Sequence, residues 1–254
     1  MKQIPNLFTL LNLVCGCLAI IFTLQNGIVI VPGANGTELV DIPEKIWLAS
    51  LFIGIAALVD FLDGFVARMF RAESEMGKQL DSLADLVSFG VAPAMILYQF
   101  LRLSFAQDEG GLDIAMIWLL PAIILPCAAA WRLARYNLTT SPSDSFVGLP
   151  VPATGLMVAS IPLIYWNVNE SWVLRLLLNY WVLYAVILLL SGLMVSRLPM
   201  LSLKFKGYGL KKNWEKWTLI ILSIVSVLLL KWLAAPVIFV IYLLLSLMTK
   251  RKTL

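Results

Sequence analysis

Four aspartates interrupt a chain that is otherwise suited to lipid. They lie in Asp60-Phe-Leu-Asp63-Gly64-Phe-Val-Ala67-Arg68 and, eight residues later, in Gly77-Lys-Gln-Leu-Asp81-Ser-Leu-Ala-Asp85. A charged side chain at the centre of a membrane helix costs about 2.5–3.5 kcal/mol on insertion scales. Four of them within 26 positions must be compensated by a partner of opposite charge. Asp60 and Asp63 are three apart and Asp81 and Asp85 four apart, so each pair shares one face of a helix.

The remainder of the sequence defines the solvent those helices meet. Of 254 residues, 61% are hydrophobic, which places the chain among polytopic membrane proteins. A spanning helix needs roughly 20 apolar residues. Eight candidate spans follow: 5–27, 46–69, 79–102, 114–136, 152–167, 172–195, 217–233 and 235–249. The fold class expected is therefore all-α, a polytopic helical bundle. The last two spans are short, and Ala234-Ala235-Pro236 joins them as a tight hairpin. The first apolar run begins at Ile4 and lacks a small-residue cleavage pattern, so it is expected to be a retained helix. Residues 1–200 form the core unit, and 201–254 add a basic loop and the hairpin to the same membrane unit.

Basic residues give the orientation. With the N-terminus in the cytoplasm and eight spans, the cytoplasmic segments hold every basic residue of the 19 except Lys45, Arg102, Arg175 and Lys231. Both termini are then cytoplasmic, and the acidic cluster sits at the cytoplasmic ends of the second and third helices. The net charge of +4 follows from this asymmetry and is not a nucleic-acid signal. The basic stretch from Ser196 to Lys216 reads either as a lipid-holding interfacial segment or as an ordinary cytoplasmic loop. The outer acids Glu38, Asp41, Glu44, Asp108, Glu109 and Asp113 read as solvated connections.

Histidine is absent, which removes the commonest general base and any His-based zinc site. Cys15, Cys17 and Cys127 form neither a disulfide framework nor a metal-ligand pattern. Acid–base and metal chemistry thus falls to carboxylates. The short connection Met69–Met76 makes the second and third helices antiparallel neighbours, and their acidic faces can then oppose each other. Hard oxygen ligands of this kind suit Mg²⁺ or Mn²⁺, and four carboxylates suffice for two ions. Gly64, Ala67 and Gly77 remove bulk beside the acids, so that a substrate backbone or nucleotide can approach. Arg68 can reach phosphate oxygens with its planar fork. Two other readings use the same acids: buried ion pairs such as Asp63 with Arg68, or the ion path of a cation transporter.

The run D-x-x-D-G-x-x-A-R-x8-G-x3-D-x3-D, Asp60 to Asp85, resembles the signature of the CDP-alcohol phosphotransferases, with all eight fixed residues present. This resemblance implies an integral membrane enzyme that moves a phosphatidyl group from a CDP-linked lipid to an alcohol, releasing CMP. It also implies that Asp60, Asp63, Asp81 and Asp85 bind two divalent cations, that Asp85 is the general base, and that the protein is a homodimer. The nucleotide and its phosphates are expected against Asn6, Asp60, Gly64, Ala67, Arg68 and Gly77.

Four further segments resemble the branch of the family that joins CDP-diacylglycerol to L-serine. They are Pro5-Asn6-Leu-Phe-Thr9-Leu-Leu-Asn12, Ser88-Phe-Gly90-Val-Ala92-Pro93-Ala94, Arg132-Leu-Ala-Arg135-Tyr136-Asn137 and Phe146-Val-Gly148-Leu-Pro150-Val-Pro152-Ala153. Other acceptors in the family include glycerol 3-phosphate, inositol phosphate and choline. The acceptor is expected near Ser88, Arg132 and Arg135. Each segment also has a plain structural reading. Asn6, Thr9 and Asn12 form a polar stripe that either packs or lines a cavity. The two arginines are also ordinary cytoplasmic anchors. Gly90 and Pro93 serve a kink or helix packing, and Gly148–Pro152 is a rigid turn before a helix.

Overall fold

A computed structural model describes residues 4–32, 38–70, 74–108, 110–138, 146–201 and 213–250. The fold is a helical bundle. Helix α1 (Ile4–Gln25) leads through a short hairpin, β1 (Val29–Pro32) and β2 (Glu38–Asp41), into α2 (Trp47–Phe70). Helix α3 (Glu75–Asp85) continues through a π-helical turn, Leu86–Val91, into α4 (Ala92–Phe105). After several 3₁₀ turns come α5 (Ile124–Leu138), strand β3 (Phe146–Val147) and α6 (Val151–Asn167). The chain ends in α7 (Ser171–Leu177), α8 (Tyr180–Val195), strand β4 (Pro199–Met200), α9 (Trp214–Leu230) and α10 (Ala234–Lys250).

Small residues let these helices approach. Ala19 of α1 and Ala49 and Ala56 of α2 are fully buried, and Phe22 stacks on Phe52 with ring centroids 5.3 Å apart. A Cβ on Gly16 would come within 2.4 Å of Ser88 Oγ, so only glycine lets α1 lie this close to the π turn. That turn has a local cause. Pro93 has no N–H to give to the carbonyl four residues back, and the Ala92 N–H bonds to Val87 O, five residues back. Gly90 meanwhile packs toward Ala129 and Pro126 of α5. Both readings of Gly90 and Pro93 therefore apply.

The span pattern departs from the eight expected. Among the described residues, four stretches are long and apolar enough to cross a membrane: Asn6–Gln25, Glu44–Phe65, Glu75–Phe105 and Trp214–Met248. A fifth appears if α7 and α8 count together, although they bend by 64° where Asn179 caps α8 through the N–H groups of Trp181 and Val182. The expected span 114–136 is replaced by 3₁₀ turns up to Ile123 and a 15-residue α5, about 22 Å long. Pro121 and Pro126 account for the break. The reversal between α9 and α10 falls at Lys231, whose φ is 49°, and α10 packs back on α9. Pro236 lies within the first turn of α10, where backbone N–H groups have no helical partner in any case.

Both ends of the bundle are tied by polar contacts. At one end Tyr165 of α6 donates to Asp41 Oδ1 at 2.6 Å, and Gln107 donates to Val40 O at 3.1 Å. Asp41 is thus a structural acceptor, not the solvated loop residue expected from the sequence. The start of α1, the end of α2, the start of α3 and the ends of α5 and α8 meet at the opposite end. There β3 pairs with β4 (Phe146↔Met200, Val147↔Pro199), and Gly148 N donates to Leu198 O at 2.8 Å.

Gly148 has φ +76°, and a Cβ there would meet Met194 O at 2.5 Å. Gly148→Ala is expected to cost about 1–3 kcal/mol from the left-handed backbone alone. The check is a thermal melt of the purified protein in detergent, which should show a midpoint lowered by several degrees.

Candidate active site

The four aspartates converge, in two tiers. One carboxylate oxygen from each of Asp60, Asp63 and Asp81 lies within 4.8 Å of the other two. Asp85 completes the group one turn further along α3, within hydrogen-bond reach of Asp60. Asp63 and Asp85 are buried, at 7% and 8% exposure. Helix α1 holds both: Thr9 Oγ1 donates to Asp63 Oδ2 at 2.9 Å, and Asn12 Nδ2 donates to Asp85 Oδ1 at 3.2 Å. Ser88 Oγ, in the π turn, donates to the Asn12 carbonyl at 2.9 Å and fixes the helix that carries these donors. The polar stripe of α1 is therefore a clamp on the acids. The bulkless Gly16, one turn below Asn12, lets it close.

Magnitudes decide what else the cluster needs. Two ionised carboxylates 4.8 Å apart repel by about 3–4 kcal/mol at an effective dielectric of 20. A hydrogen bond to a charged group returns about 1.5–3 kcal/mol. Donors from α1 reach Asp63 and Asp85, and Asp81 Oδ1 is buried without a hydrogen-bond partner among the described residues. Hard oxygen donors, high charge density and an orphaned buried carboxylate oxygen fit a Mg²⁺- or Mn²⁺-type cation.

Space and charge around the cluster are uneven. Among the described residues nothing lies within 4 Å of the position a Gly64 Cβ would occupy, so this flank of α2 is open toward them. At Gly77 a Cβ would meet Asn6 Oδ1 at 3.1 Å, which brings Asn6 to the start of α3. The side chains of Ala67 and Arg68 lie outside the described residues, as do residues 202–212 of the basic stretch. Lys78 Nζ donates to Asn137 O, and Asn137 Nδ2 donates to Ser82 Oγ at 2.8 Å, which joins α3 to the end of α5.

The two arginines of α5 differ sharply. Arg135 is used structurally: Nη1 donates to Val195 O at 2.9 Å and Nη2 to Ser196 O at 3.0 Å, which caps the carbonyl end of α8. Arg132 is 7% exposed, its Nε is buried without a hydrogen-bond partner among the described residues, and it lies within electrostatic reach of Asp85. A buried donor left unpaired costs about 1–3 kcal/mol, so this guanidinium is poised for an acceptor. Ser88, by contrast, gives its proton to α1. The Ser82–Asn137 clasp had no separable signal in the sequence, because Ser and Asn near helix ends are common caps.

An all-α bundle with membrane-grade spans and a carboxylate cluster at the ends of α2 and α3 suits an integral membrane enzyme. The family model for CDP-alcohol phosphatidyltransferase matches residues 2–190, and the chain belongs to that family. It is similar to CDP-diacylglycerol--serine O-phosphatidyltransferase of Bacillus subtilis, 32% identical over 171 residues, which is 65% of this chain and 78% of that protein. The enzyme of the same name from Helicobacter pylori (strain J99) is 30% identical over 211 residues, covering 82% of this chain and 75% of that one. That of Mycobacterium tuberculosis (strain H37Rv) is 30% identical over 210 residues, and the matched region spans only 64% of its length.

Loss of the α1 clamp should register in turnover while the protein still inserts and elutes normally. Side chains that hydrogen-bond to metal-binding carboxylates typically contribute about 10–100-fold in metal affinity or activity. Asn12→Ala and Thr9→Val are each expected to lose activity in about that range, measured as CMP release at saturating substrate.

Proposed function

We propose that this protein transfers the phosphatidyl group of CDP-diacylglycerol to L-serine, forming phosphatidylserine and releasing CMP. The observation that carries this reading is the pairing of two unlike features at one end of the bundle. One is the carboxylate trio of Asp60, Asp63 and Asp81; the other is a buried guanidinium with an unpaired donor, Arg132, beside Asp85. The first suits a pyrophosphate-bound cation, and the second suits the carboxylate of an amino-acid acceptor. The names of the bacterial relatives support the same donor and acceptor.

In this mechanism Asp60, Asp63 and Asp81, with Asp85 as fourth carboxylate, hold two divalent cations, Mg²⁺ or Mn²⁺. Bound there, such cations supply charge neutralisation for the pyrophosphate and the departing CMP. The open flank at Gly64 admits the nucleotide and its phosphates, with Ala67 and Arg68 alongside and Asn6 and Gly77 closing the far side. Arg132 binds the serine carboxylate and so orients the hydroxyl. Asp85 takes the hydroxyl proton as the serine oxygen attacks the lipid-linked phosphorus. The new oxygen–phosphorus bond forms, the bond to CMP breaks, and the proton ends on Asp85. Asn12 keeps Asp85 oriented for that step. Arg135 and Ser88 support the pocket through α8 and α1.

The membrane arrangement follows the charge distribution. The helical segments thread the bilayer with both termini in the cytoplasm, and the site opens to the cytoplasmic face of the cell membrane, where a lipid and a soluble zwitterion can meet. The working unit is a homodimer. A phosphorylated acceptor would require a denser cationic pocket than one unpaired arginine, which favours serine over glycerol 3-phosphate or inositol phosphate.

The test uses purified protein in detergent with CDP-diacylglycerol, Mn²⁺ or Mg²⁺ and labelled L-serine. Lipid-soluble label with stoichiometric CMP is expected, abolished by EDTA and restored by the metal. Transfer to another alcohol alone would replace serine as acceptor and leave the carboxylate chemistry in place. Asp81→Asn should abolish turnover in a protein that still folds, since Asp81 Oδ1 has no structural partner to lose. Arg132→Gln is expected to raise the KM for serine by about 10–100-fold, the value of a charge-assisted pair of about 1.5–3 kcal/mol, with little change in the KM for CDP-diacylglycerol.

A further inference from the structure

At the end of the bundle away from the aspartates, α4 carries two polar side chains that the transfer chemistry does not use. Gln99 and Arg102 lie three apart on one face of this helix. The π turn joins α3 to α4 in one apolar stretch, Glu75–Phe105, so Arg102 lies about 25 Å along the axis from Asp85. Arg102 is also one of the basic residues that the cytoplasmic charge pattern leaves over. Gln99 is 2% exposed, and a buried amide is costly unless it is bonded. Its Nε2 donates to Thr23 O at 3.2 Å, and its Oε1 accepts from Arg102 Nη1 at 3.3 Å. Helix α1 thus holds Gln99, and Gln99 holds one arm of the guanidinium. An arginine has five N–H donors. Among the described residues the others have no acceptor, and no carboxylate pairs with Arg102.

Arg102 lines a cavity of about 410 Å³. Tyr98, one turn earlier on α4, lines it too, and Ile28 reaches it from the exit of α1. The rest of the wall comes from the loop after α4, with Leu112, Ile114 and Met116. Two glycines fold that loop back. Gly110 has φ +75°, and a Cβ on Gly111 would collide with the Phe105 carbonyl. Tyr184 Oη donates to Trp118 O at 2.5 Å and ties the far end of the loop to α8. The rim is apolar: Leu112, Met116, Ile117 and Trp118 are all exposed. Such a patch at the level where a span ends meets acyl chains, with the tryptophan at the headgroup boundary. A guanidinium fork matches two oxygens of a phosphate, and a phenol donates to a third.

We propose that this cavity binds an anionic phospholipid in the leaflet opposite the aspartate cluster. Its phosphate lies on Arg102 and Tyr98, and its acyl chains run along Leu112, Met116 and Ile117. The lipid holds the far end of the same helical stretch that carries Asp81 and Asp85. Its binding is independent of which alcohol the enzyme uses.

The test uses full-length protein in detergent and counts retained lipid by native mass spectrometry. Dioleoyl phosphatidylglycerol is the probe, dioleoyl phosphatidylcholine the zwitterionic control, and inorganic phosphate the same anion chemistry without a tail. Wild type is expected to retain phosphatidylglycerol in preference to phosphatidylcholine. Arg102→Gln is expected to lose one equivalent of phosphatidylglycerol, its affinity falling about 10–100-fold with the loss of a charge-assisted pair. Met116→Glu changes an exposed side chain, so folding tolerates it, and its carboxylate at the rim is expected to expel the same equivalent. Should Arg102→Gln melt well below wild type, Met116→Glu alone decides. Equal retention of the two lipids by wild type, or retention of that equivalent by either folded variant, overturns the proposal. If inorganic phosphate displaces the lipid from wild type and binds as tightly, the ligand is a free phosphate and the lipid assignment falls.

Discussion

Repulsion among four carboxylates governs this structure. Asp60, Asp63, Asp81 and Asp85 are brought together at the meeting point of α2 and α3, where each ionised pair opposes folding by several kcal/mol and the surrounding helices provide little water. A bundle that accepts this cost needs rigid helices on either side and donors aimed at individual oxygens. Helix α1 lies against both acidic helices, and Thr9 and Asn12 each take one carboxylate.

That clamp depends on features whose purpose is purely steric. Glycine at position 16 lets α1 touch Ser88, and Ser88 returns a hydrogen bond to the Asn12 carbonyl. The π turn places Ser88 on this face, and Pro93 with its missing N–H makes a π turn there inexpensive. A similar division of labour operates on α5. Arg135 is consumed by the end of α8, and this leaves Arg132, one turn earlier, as the buried guanidinium with an unpaired Nε. Residues of the same type, three apart, thus differ: one is spent on architecture, and the other keeps a buried donor unpaired among the described residues.

Much of this was legible in the chain itself. Alternation of long apolar runs with basic connections is a property of composition and order, so the helical class and the helix positions could be read directly: α1, α2, α6 and α10 fall within a few residues of the expected runs. The acidic spacing is local too, because residues three or four apart share a helix face in any helix. Where the reading failed, the cause was nonlocal. The run 114–136 is apolar enough for one span, but its prolines break the helix and the neighbouring elements accept the 3₁₀ turns. The run 172–195 bends by 64° at Asn179, a residue whose capping role depends on the path of the chain around it. Asp41 looked like a solvated loop acid until Tyr165, 124 positions away, was seen to donate to it.

Sequence alone determined the solvent this protein lives in, the family it belongs to and the residue types that do its chemistry. Those depend on hydropathy, charge order and fixed spacings along one helix or between two adjacent ones. Tertiary structure decided which of those residues are spent on architecture and which are left free. Only packing could show that Asp60, Asp63 and Asp81 form the close trio, and that Asn12 takes Asp85. Only packing could show that Arg135 is occupied, or that Tyr242, in a helix that reads as plain lipid-facing sequence, is tied to the Leu201 carbonyl. Hydrogen-bond satisfaction is a property of neighbours in space, and neighbours more than one helix apart leave no period in the sequence.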